Sequence, residues 1–66
     1  MQLTINGDIH TVPPACSIVE LLAHLGLDGE KIAFERNREV VPRSAFSLTS
    51  LQEGDALEII HFMGGG

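Results

Sequence analysis

Cys16-Ser17-Ile18-Val19-Glu20-Leu21-Leu22-Ala23-His24-Leu25-Gly26 holds the start, face and stop signals of one amphipathic helix. Ser17 followed three residues later by Glu20 is a capping box, in which hydroxyl and carboxylate each satisfy a backbone N–H that helical bonding leaves open. Cys16 and Leu21 take the two staple positions around it, and Gly26 stands where a left-handed glycine ends a helix. Ile18, Leu21, Leu22 and Leu25 fall at i, i+3, i+4 and i+7, a single apolar stripe. Such a stripe needs a surface to bury against, so the flanking segments decide the fold. No neighbouring cation or histidine in the sequence lowers the Cys16 thiol pKa, so Cys16 reads as a buried staple residue rather than a reactive one. His24 follows the stripe's edge and is expected to face solvent.

Upstream, Met1, Leu3 and Ile5 alternate with Gln2, Thr4 and Asn6, the period of a half-buried strand. Asn6-Gly7-Asp8 supplies a hairpin turn, because Asn and Gly tolerate the positive φ that such turns require. A second strand follows over residues 9–12. Two-residue loops put Val12 on the Leu3 face, whereas a three-residue loop puts Ile9 there; Val12 is the expected core residue. Pro13-Pro14 closes the strand.

Downstream, residues 32–36 read as a third strand, Asn37-Arg38-Glu39 as a turn, and Val40-Val41 as a short strand stopped by Pro42. Residues 43–51 have no clean period and are expected to form an irregular crossover with one helical turn, anchored in the core by Phe46, Leu48 and Leu51. After a turn at Glu53-Gly54-Asp55, Leu57, Ile59 and His61 alternate with Glu58, Ile60 and Phe62 along a last strand. His61 is expected to pack at a sheet edge. One helix crossing a mixed sheet of four to five strands is the α+β, β-grasp arrangement. The first and last strands should be parallel neighbours.

Sixty-six residues allow one domain, which at this size buries only about 60% of the surface its unfolded chain exposes. The single cysteine excludes an internal disulfide framework, and no Cys/His spacing suits zinc. No basic segment leads into a long apolar run, and no stretch is long enough to span a membrane, so a cytoplasmic protein is expected. Nine acidic residues against four basic ones give a formal charge of −5. That charge disfavours nucleic acid and favours a basic protein surface as partner.

The sequence runs out in His61-Phe62-Met63-Gly64-Gly65-Gly66. Residues 1–63 are read as the domain and residues 64–66 as a flexible tail. Three extended glycines carry a terminal carboxylate about 10 Å from the last side chain, and without Cβ atoms they fit a narrow cleft. A linker remnant ends in the same way, so the domain before the tail decides its meaning.

Asn6-Gly7, Glu35-Arg36-Asn37 leading into Val40-Val41-Pro42-Arg43, Phe46, Glu53-Gly54-Asp55 and the glycine end, in this order and over nearly the whole chain, resemble the ThiS family, the sulfur carriers of bacterial thiamine biosynthesis. Met63 stands where that family favours a small aliphatic residue, and Phe46 where Trp is common. The resemblance implies a carrier rather than an enzyme, with no catalytic residue and no bound cofactor or metal. Gly66 would be adenylated with ATP on a ThiF-like enzyme and converted to a thiocarboxylate with sulfur from a donor protein. The sulfur would then pass to a ThiG-like thiazole synthase, with Gly64 and Gly65 threading partner active sites. Such a carrier is expected to be a monomer when free. Ile60, Phe62 and Met63, beside the tail, are the candidate docking residues.

Three other readings share the same features. A MoaD-like small subunit of molybdopterin synthase uses the same tail chemistry. A ubiquitin-like modifier passes its activated carboxylate to a lysine, and a plain β-grasp interaction domain leaves the tail inert.

Overall fold

The computed structural model describes residues 1–62. The expectations placed on Met63, Gly64, Gly65 and Gly66 therefore lie outside the described residues. Five strands, β1 (Gln2–Ile5), β2 (Asp8–Thr11), β3 (Ile32–Arg36), β4 (Glu39–Val41) and β5 (Ala56–His61), form one sheet in the order β2-β1-β5-β3-β4. β1 and β5 run parallel at its centre, and the other neighbours are antiparallel. The helix α1 (Ile18–Leu25) is the crossover element between the two hairpins.

Both hairpins close on two-residue loops with positive φ, at Asn6 (50°) and Gly7 (88°) and at Asn37 (50°) and Arg38 (71°). Such turns match the right-handed twist of the strands. The first loop sets the register Ile5↔Asp8, which leaves Val12 4% exposed in the core and Ile9 71% exposed outside it. The second hairpin is one residue tighter than expected, because Glu39 already belongs to β4.

The capping box is complete, with Ser17 Oγ accepting from Glu20 N–H at 3.1 Å and Glu20 Oε1 accepting from Ser17 N–H at 3.0 Å. At the other end Gly26, at φ 73°, donates to the Ala23 carbonyl, and Leu27 N–H to that of Leu22. Ile18, Leu21 and Leu22 are buried on Leu3, Ile5, Phe34, Leu57 and Ile59 from the sheet, and Leu25 packs at the margin. The Phe34 and Phe46 rings meet at 5.7 Å and a 59° tilt, tying the crossover into the same core.

Two further expectations fail. Leu48 is 83% exposed and anchors nothing. The crossover bends through a 3₁₀ turn at Arg43–Ala45 and further i→i+3 bonds, from Phe46 N–H to Arg43 O and from Leu48 N–H to Ala45 O. At three residues per turn, a position two beyond buried Phe46 points away from the core. His61 is not packed at a sheet edge: it is exposed on the middle strand. The β1 register reaches β5 only at Ala56 and Leu57, so no β1 residue stands opposite His61 to cover it.

Candidate functional site

The candidate site is the end of β5, from which the chain leaves the sheet. This strand is held on both flanks, by different means. On one side β3 pairs with it as far as Ile32↔His61, and Phe62 N–H donates to the Lys31 carbonyl at 3.0 Å. On the other side β1 has already turned, and the Asn6 side chain takes over. Its Oδ1 accepts from Ile59 N–H at 2.9 Å and its Nδ2 donates to the Ile59 carbonyl at 3.1 Å. One amide side chain thus does for Ile59 what a peptide group of a longer β1 would do.

The start of β5 is clamped by Asp55, 7% exposed. Its Oδ2 accepts from Arg36 Nε and from Gln52 N–H, both at 2.8 Å, and its Oδ1 accepts from Asn37 Nδ2 at 3.1 Å. Asn37 in turn bonds Ala56 twice, its Oδ1 accepting from Ala56 N–H at 2.9 Å and its own N–H donating to Ala56 O at 2.7 Å. Burial by itself raises the Asp55 pKa, but the Gln52 N–H, the Asn37 amide and the Arg36 guanidinium outweigh it and hold the carboxyl below its ordinary value. Asp55 is therefore a charged structural anchor with three of its roughly four acceptor positions engaged.

The sequence reading missed Asn6 and Asp55 in these roles. Both stood out only as turn formers, and apart from Gln52 the partners of their side chains lie 18 to 53 residues away.

Ile60 and Phe62 lie on the sheet face away from the helix, 50% and 57% exposed. The crossover leaves that face open. Met63, Gly64, Gly65 and Gly66 follow outside the described residues. Cys16 is buried, its thiol is pushed up first by burial and then by the Glu20 charge, and its Sγ donates to the Ser17 carbonyl. A protonated, enclosed thiol is a poor sulfur nucleophile. Among the described residues no cluster of three or more His, Cys, Asp or Glu could hold a metal. Also among them, no helix is long and apolar enough to cross a membrane. What the arrangement offers is a last strand bonded on both flanks, beside exposed apolar side chains.

Residues 3–66 match the ThiS family. The sulfur carrier protein ThiS of Bacillus subtilis (strain 168) is 34% identical, over 98% of this chain and 100% of its own length. A thiazole synthase of Paramagnetospirillum magneticum is 42% identical over the full chain, which spans 20% of that protein's length. The crystal structure of the thiamine biosynthesis protein ThiS from Geobacter metallireducens superposes with a TM-score of 0.86 at 42% identity, covering 100% of both chains.

Proposed function

The chain belongs to the ThiS family, and on that premise we propose that it is the sulfur carrier of thiazole formation in thiamine biosynthesis, with the Gly66 carboxylate as its working group. The observation that carries this reading is the match through residue 66 to a family of sulfur carriers; that the last strand is the middle one of the sheet supports it. The match to a thiazole synthase over a fifth of that protein supports thiazole synthase as the acceptor of the sulfur.

A chain-terminal α-carboxyl ordinarily titrates at about 3.3–3.7 and is ionised near neutrality. Its oxygen attacks the α-phosphorus of ATP on a ThiF-like enzyme, pyrophosphate leaves, and an acyl-adenylate forms. A sulfide equivalent from a donor protein then attacks the acyl carbon, AMP leaves with the carboxyl oxygen, and a thiocarboxylate remains. Gly64 and Gly65 present no side chain to the partner's cleft. The chain itself supplies position and no acid, base or metal.

Ordering three tail residues costs about 1–2 kcal/mol each in backbone entropy. Burying Ile60 and Phe62 on a partner returns about 1.5–3 kcal/mol apiece, so docking beside the tail offsets threading it. The test is intact mass after incubation with a ThiF-like adenylating enzyme, ATP and a sulfur donor. Replacement of one oxygen by sulfur at Gly66 is expected. Unchanged mass, or isopeptide adducts to other proteins, overturns the reading.

A further inference from the structure

The ladder between β1 and β5 continues one step past the point where β1 ends. Thr4 N–H donates to Asp55 O and Asn6 N–H to Leu57 O, so alternate residues of β5 turn their backbone groups toward β1. Ile59 is next in that series. By then the chain has turned through Asn6 and Gly7, and Asp8 pairs back with Ile5. The Asn6 amide fills the step instead, accepting from Ile59 N–H at 2.9 Å and donating to Ile59 O at 3.1 Å. The turn itself does not require this side chain, because glycine meets a φ of 50° at no steric cost. Ile59 requires an acceptor and a donor from one side chain, which neither a carboxylate nor an apolar residue supplies.

Among the described residues Asn6 is the last group to bond β5 on this flank, and His61 and Phe62 beyond it are held from the β3 side, through Ile32↔His61 and Phe62 N–H to Lys31 O. A strand bonded on one flank alone is free to pivot about that flank. Asn37 fixes Ala56 from the β3 side and Asn6 fixes Ile59 from the β1 side. Two asparagines, one from each hairpin turn, thus grip opposite flanks of β5 and resist a pivot in the plane of the sheet.

We infer that Asn6 is a positioning residue for the reaction at the chain end: by holding Ile59 it sets where the end of β5 points, and so where Gly66 arrives in the activating enzyme. The inference rests on the carrier reading above. Four residues follow Phe62, a span of about 13–14 Å when fully extended. So short a span has little slack, and a shift of the strand end is passed on to the reacting carboxyl. A misplacement of about 1 Å can cost a hundredfold in rate. Ile60 and Phe62 keep their β3-side partners without Asn6, so the surface they offer an enzyme stays in place. Loss of the amide therefore slows the bound chain more than it weakens binding.

The test compares wild type, Asn6→Gly, Asn6→Asp and Val12→Ala with ATP and a ThiF-like enzyme in excess, below the melting transition of each. Single-turnover pyrophosphate release is read against enzyme concentration. Val12→Ala is the control, since it removes buried packing and leaves both bonds to Ile59 in place. Asn6→Gly is expected to lower the saturating rate about tenfold or more and to leave the half-saturating concentration within about twofold. Asn6→Asp keeps the acceptor for Ile59 N–H and loses the donor, so its rate should fall between those of Asn6→Gly and wild type. Val12→Ala should react at the wild-type rate. A wild-type saturating rate in Asn6→Gly, a change confined to half-saturation, or an equal loss in Val12→Ala each overturns the inference and leaves the carrier reading standing. If Asn6→Gly does not fold, Asn6→Asp is judged by the same three outcomes. A wild-type chain that is not adenylated at all overturns the carrier reading and this inference with it.

Discussion

Asp55 grips Arg36 from 19 residues away, Oδ2 accepting from Nε at 2.8 Å, and so binds the turn before β5 to the end of β3. Because the folded Asp55 carboxyl titrates below its ordinary value, the stability it contributes is present above the unfolded pKa, about 3.9. It is lost as pH falls through the lower, folded pKa. Asp55→Ala is expected to cost about 2–3 kcal/mol near neutral pH, since it leaves part-buried donors without an acceptor. Urea unfolding of wild type and variant across the acid range should show this difference shrinking below about pH 4. A difference that stays constant with pH would assign the effect to packing instead.

Asn6 does two jobs, and substitutions separate them. Its φ of 50° suits the hairpin, and its amide bonds both backbone groups of Ile59. Asn6→Gly keeps the turn and loses the amide, for an expected cost of about 1–2 kcal/mol. Asn6→Ala loses the amide and adds left-handed strain of about 1–2 kcal/mol. Amide exchange at Ile59 should speed up in both. Equal stabilities of the two variants would show that φ at this position is unimportant.

Elements with a local signature were legible in the sequence. The capping box, the Asn6-Gly7 turn and the alternation of Leu57 and Ile59 with Glu58 and Ile60 each sit within a few residues, and each element forms where expected. Placing Ile60 and Phe62 on the outer face needs only a period of two. What stayed hidden depends on sheet order and register. Glu35 faces Glu58 only because β3 and β5 pair at that register, and the open side of His61 follows from where β1 ends. Leu48 is misplaced by the sequence reading because 3₁₀ turns as short as Arg43–Ala45 do not repeat their three-residue period often enough to be read.

Leu57 and Leu48 test the core boundary. Leu57 is 2% exposed in the middle strand, so Leu57→Ala removes packing on all sides and should cost about 2–5 kcal/mol, a large fraction of the stability of a small domain. Leu48→Ala should change stability by less than about 0.5 kcal/mol. Denaturant midpoints at unchanged m-value decide the matter. A Leu48 effect as large as that of Leu57 would mean that the crossover packs inward after all.

Deleting Gly66 separates function from folding. The buried apolar residues lie between Leu3 and Ile59, and the Asn6 and Asp55 networks hold β5 at or before Ile59, so the fold's described anchors all precede the deleted residue. The melting temperature should therefore stay within about 1–2 °C of wild type. Adenylation and sulfur loading should nevertheless fail, because the carboxylate moves one residue back and no longer reaches the α-phosphorus; a displacement of about 1 Å can already cost a hundredfold in rate. Replacing Gly65 with a bulky residue should give the same pattern by obstructing the cleft. If the deletion variant is adenylated and supports thiazole formation at the wild-type rate, with circular dichroism unchanged, then the chain end is not the working group and sulfur must travel by another route.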